Sequence, residues 1–390
     1  MRQKYLPLNS LLIKPAGPDC NLDCKYCFYL EKEALFPESK IHRMSEQTLD
    51  TIIKQALEQS RSQISFAWQG GEPTLMGLPF YEKAIKLQQK YARGTQVENA
   101  LQTNGTLIDG QWATFLHQNK FLVGLSLDGP AHVHDHYRVD KAGEPSFEKV
   151  RDAATLMLEH QVDVNVLVVV NDYSVKYPEE IYQFHKDLGL DHIQFIPCVE
   201  YGDAPSDLAL YTVSPEEYGE FLCRTFDLWA LDIDDLVAKT SIRFFDSVFR
   251  KYVGHPPADC TLLADCGVYL TIEHEGSIYS CDFYVDSENL LGNVNELKLI
   301  DMLNGDQQIR FGSAKSILPW ECNACEWLAL CRGGCPKDRL LQGEGSGLHY
   351  LCEAFKIFFA HADSTFRTLA GAWQDQQAEL FRQENPVREV

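Results

Sequence analysis

Through the first 250 residues, short β-branched or aromatic runs alternate with stretches of helical periodicity. The runs Leu11–Lys14, Ile64–Gln69, Val97–Thr103, Leu122–Leu127, Val164–Val170 and His192–Ile196 read as strands. Between the first two, Ser45 is a helix N-cap with Glu46 in the first turn, and Leu49, Ile52, Ile53, Ala56 and Leu57 fall on one helical face. Tyr81–Tyr91, Gly110–His117, Phe147–His160 and Pro178–Leu188 carry further helical patterns. Such alternation implies a parallel sheet with helices packed outside it. Six repeats suit a partial barrel or an open doubly wound sheet, and periodicity does not choose between them. In both, the functional face lies at the C-terminal ends of the strands. The chain places its unusual motifs there, after Lys14, Gln69, Thr103 and Leu127.

The stretch Val253-Gly254-His255-Pro256-Pro257-Ala258 reads as a linker, and the character of the sequence changes beyond it. We therefore expect one domain over 1–250 and a second over 251–390. In the second, Val268–Ile272 and Ser277–Cys281 flank Glu275-Gly276 as a short hairpin, and Tyr350 to Gln377 is helical. No internal repeat or low-complexity tract is evident.

Composition narrows the function classes. Hydrophobic content of 45% and charged content of 23% are those of a globular chain. A formal net charge of −21 argues against a nucleic-acid partner, because a phosphate backbone would be repelled. Residues 1–12 hold no apolar run of signal-peptide length, and nowhere do about 20 apolar residues run together, so neither export nor a membrane partner is expected. The expected compartment is the reducing cytoplasm, where the 13 cysteines point to metal or redox chemistry rather than to disulfides.

Cys20, Cys24 and Cys27 form a C-x3-C-x2-C triplet directly after the first strand. Four-iron clusters normally take four thiolates, so three local ones leave one iron open to a substrate or cofactor. The alternative is a tetrahedral zinc site borrowing a fourth ligand such as His42. Gly70-Gly71-Glu72-Pro73 follows the second strand; two glycines permit close backbone approach to a ligand, and Glu72 offers an anionic acceptor. Further on, Cys260, Cys266, Cys281, Cys322, Cys325, Cys331, Cys335 and Cys352 supply the eight thiolates that two fully ligated four-iron clusters need. Cys198 and Cys223 are left over and read as small buried hydrophobes. The His132-x-His134-x-His136 run reads as a solvated loop.

The triplet, with Tyr26 before its last cysteine, resembles the signature of the radical S-adenosylmethionine superfamily. Gly70–Pro73, Thr103-Asn104-Gly105, Ser126-Leu127-Asp128-Gly129 and Arg138 match the same family. Cys322-x2-Cys325-x5-Cys331-x3-Cys335, preceded by Gly276-x4-Cys281, resembles the SPASM extension of its peptide-modifying members. Through Cys20–Lys32, Ala67–Leu75, Leu101–Gly105 and Cys281-Asp282, the chain most resembles the anaerobic sulfatase-maturating enzymes.

That resemblance implies a partial (β/α)6 barrel, a SPASM domain and three 4Fe-4S clusters. It implies that Cys20, Cys24 and Cys27 hold the first cluster, that Cys260, Cys266, Cys281 and Cys335 hold the second, and that Cys322, Cys325, Cys331 and Cys352 hold the third. S-adenosylmethionine would contact Tyr26, Gly70, Gly71, Glu72, Asn104, Ser126, Arg138 and backbone near Val199. The implied reaction oxidises a cysteine or serine of a sulfatase, within C/S-x-P-x-R, to formylglycine. A 5′-deoxyadenosyl radical would remove a hydrogen from Cβ, Asp282 would take the thiol or hydroxyl proton, and Tyr29 and Gln69 would help hold the peptide. A low-potential donor such as flavodoxin or ferredoxin would supply electrons. The alternatives are a related peptide-crosslinking enzyme and a zinc-bearing scaffold. The 19 residues before Cys20 weigh against the added peptide-recognition segment of the crosslinking group.

Overall fold

A computed structural model describes residues 5–202, 207–339 and 347–384. The six expected strands form within a residue of their anticipated ends: β1 Ser10–Ile13, β2 Gln63–Trp68, β3 Gln96–Thr103, β4 Phe121–Ser126, β5 Asp163–Val170 and β6 His192–Pro197. Two-residue strands β7 Ile233–Asp234 and β8 Val237–Ala238 pair with each other, and β9 Ser241–Ile242 follows. Three more, β10 Leu270–Ile272, β11 Ser277–Tyr279 and β12 Leu290–Asn293, come late in the chain. The expected hairpin is β10–β11, while β12 extends it on a pattern that periodicity did not reveal.

The chain divides into two compact units, one of Met1–Leu167 with Asp265–Ala314, the other of Val168–Ala264 with Lys315–Val390. These units do not follow a division at residue 250. The reason lies in the sheet: β10 pairs in parallel with β1, matching Leu11 to Leu270 and Ile13 to Ile272. Segment 265–314 is thereby stitched to the N-terminal strands.

In the first unit, β1, β2, β3, β4 and the start of β5 run parallel in that order. Leu11, Ile13, Phe66, Trp68, Leu101, Val123 and Leu125 are wholly buried among them. The helix Glu46–Gln59 starts where Ser45 Oγ accepts from the Thr48 N–H at 3.0 Å, and it buries the five residues expected. Each such aliphatic side chain contributes about 1.5–3 kcal/mol on leaving water. The β10–β11 turn uses Gly276 at φ 98°, with the Glu273 N–H on Ser277 O and the Gly276 N–H on Glu273 O. Two residues therefore sit together just past the ends of neighbouring parallel strands: Lys14 after β1 and Glu273 after β10. The Lys14 N–H donates to Ile272 O at 2.8 Å.

The second unit pairs β6 with β9 in parallel and packs helices Pro215–Leu231, Arg243–Tyr252 and Cys352–Glu384 around an aromatic core. Phe226 meets Phe366 at 4.9 Å between ring centres, and Phe245 stacks on Phe358 at 5.3 Å. Gly219 lets the first and last of these helices touch, because a β-carbon there would lie 3.1 Å from Ala354 and Ile357. The helix before the expected linker ends at Tyr252, as the glycine and proline run requires.

Candidate active site

The loop after β1 carries the cysteine triplet, and the loop after β2 grips it. Gly71 donates its N–H to Gly17 O at 2.8 Å, and Glu72 donates to Asp19 O at 2.7 Å. A β-carbon on Gly71 would fall 2.0 Å from Asp19 O, so glycine is required for this approach. The three thiols lie close enough for their charges to act on one another; burial and the neighbouring anions push Cys20 up to about 12 and Cys24 up to about 11. Metal ligation needs such thiols as thiolates, so a bound cation would have to offset that burial.

Two expectations change here. Glu72 does not offer a free carboxylate to a ligand. It is wholly buried and accepts from Thr74 N–H and hydroxyl, from Thr103 Oγ1 at 2.7 Å, and from Asn104 N–H at 2.8 Å. It ties the ends of β2 and β3 together, leaving backbone at Gly70 and Gly71 as the part of the motif able to meet a cofactor. His42, the candidate fourth zinc ligand, has both ring nitrogens engaged, Nδ1 on Asp19 Oδ1 at 2.7 Å and Nε2 on Phe36 O at 3.0 Å. Burial lowers its basicity, but facing two acceptors raises it on balance. It braces the cysteine loop rather than completing a metal shell.

Asn104 also serves that loop. Its amide donates to Asn21 Oδ1 at 2.8 Å and lies 3.7 Å from Cys20 Sγ. Past β4, Ser126 is buried, and Asp128 binds Arg138 through both oxygens at 2.8 and 3.1 Å. The Tyr26 hydroxyl donates to the same carboxylate, and the Arg138 guanidinium lies 5.3 Å from the Tyr26 ring centre. Burial would raise the Asp128 carboxyl; the Arg138 charge beside it outweighs this and holds it below the usual range. Arg138 thus meets Asp128 and the Cys24 thiol at once. Sequence reasoning gave Asp128 no role of its own.

The histidine run is only partly a solvated loop. His132 and His136 are exposed, but His134 is fully buried. It accepts the Asp128 N–H at 3.3 Å on Nδ1, and Nε2 meets Ser146 Oγ at 3.0 Å. The short helix Ala131–His134 turns this ring inward beneath the Asp128 loop.

Asp282, in the loop after β11, faces two groups from other elements. Gln69 Nε2 donates to its Oδ2 at 2.8 Å, and the Lys14 ammonium forms an ion pair with Oδ1. Lys14 is 1% exposed and lies 3.8 Å from Glu273 Oε1 and 3.6 Å from the centre of the Tyr29 ring. The Tyr29 hydroxyl donates to buried Glu273. The hydroxyl and ring of Tyr29 are thus both engaged in this network. Gln69 stays half-buried beside Asp282. Lys14 and Glu273 were missed; a lysine ending the apolar run Leu11-Leu12-Ile13 was the available signal.

In the second unit, Cys322, Cys325, Cys331 and Cys352 act on one another electrostatically, and burial raises Cys322 and Cys352 and takes Cys331 to about 11. Lys315 Nζ donates to Cys260 O at 2.7 Å, and Lys251 Nζ to Leu330 O at 2.7 Å, fixing the cysteine-bearing loops. Cys260 and Cys335 belong to this unit, Cys266 and Cys281 to the first. Cys198 is buried as expected, whereas Cys223 is only half-buried. Val199 is buried, and its carbonyl accepts from Lys337 Nζ at 2.7 Å.

The chain matches the radical SAM superfamily over residues 15–185 and an iron–sulfur cluster-binding domain, SPASM, over residues 266–326. It is 39% identical to a serine-type anaerobic sulfatase-maturating enzyme of Bacteroides thetaiotaomicron, across 94% of this chain and 92% of that protein. It is 36% identical to a cysteine-type anaerobic sulfatase-maturating enzyme of Clostridium perfringens, across 92% of this chain and 97% of that one. The solved structure of native anSMEcpe with bound AdoMet and Kp18Cys peptide superposes with a TM-score of 0.86 at 36% identity, covering 93% of this chain and 99% of that one.

Proposed function

This chain belongs to the anaerobic sulfatase-maturating enzymes of the radical SAM superfamily, and from that premise we propose that Asp282 is the base of its reaction. The enzyme oxidises a cysteine or serine of a sulfatase to formylglycine, on a radical SAM fold extended by a SPASM domain. S-adenosylmethionine and the 4Fe-4S clusters, when bound, supply the one-electron chemistry that takes a hydrogen atom from the target Cβ and carries off the second electron. The donor sets fit those groups: three mutually interacting thiols beside a glycine cradle, and four more in the second unit.

The protein's own residues do the rest. Cys20, Cys24 and Cys27 hold the first cluster, and Gly70 and Gly71 backbone, Tyr26, Asn104, Ser126 and Arg138 shape the cofactor's seat. Cys322, Cys325, Cys331 and Cys352 hold one auxiliary cluster, and Cys266 and Cys281 of the first unit are ligands of the other. Asp282 accepts the proton from the target thiol or hydroxyl. With the hydrogen atom and the second electron gone, serine gives the aldehyde directly, and cysteine gives a thioaldehyde that water hydrolyses. The observation that carries this reading is an ionisable carboxylate beside cluster ligand Cys281, held by Gln69 and Lys14 rather than buried against its own backbone. A thiol with a free pKa of about 8.5 needs modest help from such a base, and a hydroxyl needs more.

The peptide partner is a C/S-x-P-x-R segment of a sulfatase, electrons come from a flavodoxin or ferredoxin, and the setting is the cytoplasm. No described helix is long and apolar enough to cross a membrane. The test is Asp282→Asn with a target peptide: aldehyde formation is expected to fall about 10²-fold or more, while full activity would remove Asp282 from the mechanism.

A further inference from the structure

The Asp282 carboxylate sits on a loop, yet both its oxygens are held: Oδ2 by Gln69 and Oδ1 by Lys14. The two holders differ in rigidity. Gln69 is half-buried in the loop after β2. Lys14 follows a strand paired on both sides, to β2 and to β10, and its own N–H is tied to Ile272 O at 2.8 Å.

A lysine this buried carries a desolvation cost that needs local repayment. The site supplies it three times, with Asp282, with Glu273 at 3.8 Å, and with the face of the Tyr29 ring at 3.6 Å. Glu273 is itself fully buried and receives the Tyr29 hydroxyl. A lysine wanted only for solubility would reach water, and one wanted only for packing would be a methionine. A cation fixed between two carboxylates, one of them in the reacting site, has a narrower use.

We propose that Lys14 is the positioning residue of the reaction: held by Glu273 and Tyr29, it fixes the Asp282 carboxylate in the orientation that receives the substrate proton. This rests on the reading of Asp282 as base. Sites built on regular elements hold their groups more tightly than loops do, and about 1 Å of misplacement is enough to cost a large factor in rate. Lys14 gives a loop carboxylate the rigidity of a central strand. No new bond chemistry is involved.

The role has a signature that a purely structural one lacks. A misplaced base slows proton removal without slowing hydrogen-atom removal, so 5′-deoxyadenosine should form without matching aldehyde. The defect should also be greater for the less acidic serine hydroxyl than for the cysteine thiol.

The experiment compares Lys14→Met, Lys14→Gln, Asp282→Asn and the double variants in reconstituted enzyme, with iron counted first and C-x-P-x-R and S-x-P-x-R peptides as substrates. For Lys14→Met we expect aldehyde turnover down about 10-fold with the cysteine peptide and about 100-fold with the serine peptide. Peptide KM should stay within about threefold and deoxyadenosine per aldehyde should rise. Added to Asp282→Asn, Lys14→Met should cost nothing further. Equal losses on both peptides with coupling intact, or losses that multiply in the double variant, overturn the proposal. Loss of iron in both Lys14 variants overturns it too, since the cation would then be structural. Asp282→Asn inactive with Lys14→Met active removes Lys14 alone; Asp282→Asn fully active removes the base and the positioning residue together.

Discussion

Gln69 and Asp282 lie 213 positions apart, yet the Gln69 amide donates to the Asp282 carboxylate at 2.8 Å. The contact joins the loop after β2 to the loop that carries Cys281. It also leaves Gln69 half-buried. Replacing Gln69 with alanine is expected to raise the peptide KM severalfold and lower turnover about 10-fold, since one of the two grips on Asp282 is lost. Steady-state kinetics on the target peptide separate the two effects.

Glu72 is expected to be more important to the fold than its place in a cofactor motif suggests. Glu72→Ala strands the donors of Thr74, Thr103 and Asn104, each at a cost of about 1–3 kcal/mol. Denaturation midpoints should fall sharply, and the first cluster should load poorly because the Gly17–Asp19 contacts depend on the same turn. Unchanged stability in Glu72→Ala would contradict this assignment.

The buried Asp128–Arg138 pair makes a prediction about pH. The Asp128 carboxyl lies below its usual range, so its contribution is complete above the ordinary carboxyl pKa of about 3.9 and is lost only as pH falls through the folded value. Arg138→Met reverses the sign. The carboxylate left behind is buried without its partner, its pKa rises above the unfolded value, and stability then drops as pH rises toward neutrality. The expected cost at pH 7 is about 3–5 kcal/mol. Urea denaturation at pH 4.5 and pH 7 should therefore show the variant more stable at the lower pH.

Metal content tests the division of the cysteines. Replacing Cys20, Cys24 and Cys27 together should remove about one third of the iron, one cluster of three, and leave the rest bound. Because burial raises these thiols, up to about 12 at Cys20, loading must release protons and should strengthen as pH rises. Iron counts on protein reconstituted at several pH values check both statements.

Much of this site was legible because its signals are local. The C-x3-C-x2-C spacing, the Gly-Gly pair after a strand and the Ser45 cap each lie within a few residues, where sterics and ligand number act directly. Asp282 was singled out through the resemblance carried by Cys281-Asp282. Glu273, the partners of Lys14 and the inward turn of Glu72 were not legible, since each depends on pairing between distant segments. Nothing in the local pattern of Leu270–Ile272 says that it will lie beside β1, and that register alone sets Glu273 against Lys14. His134 was misread for a similar reason: a polar run predicts solvent, and only the fold of the Asp128 loop over it makes it core. The same long-range pairing explains why segment 265–314 groups with the first strands instead of with its neighbours in sequence.

The most direct test of the whole account is one anaerobic incubation. Reconstituted protein, dithionite, S-adenosylmethionine and a C-x-P-x-R or S-x-P-x-R peptide are combined, and mass spectrometry follows 5′-deoxyadenosine and the peptide. The account predicts deoxyadenosine together with a peptide aldehyde in wild type, and deoxyadenosine with little aldehyde in Asp282→Asn. Deoxyadenosine without any aldehyde in the wild-type protein would contradict it.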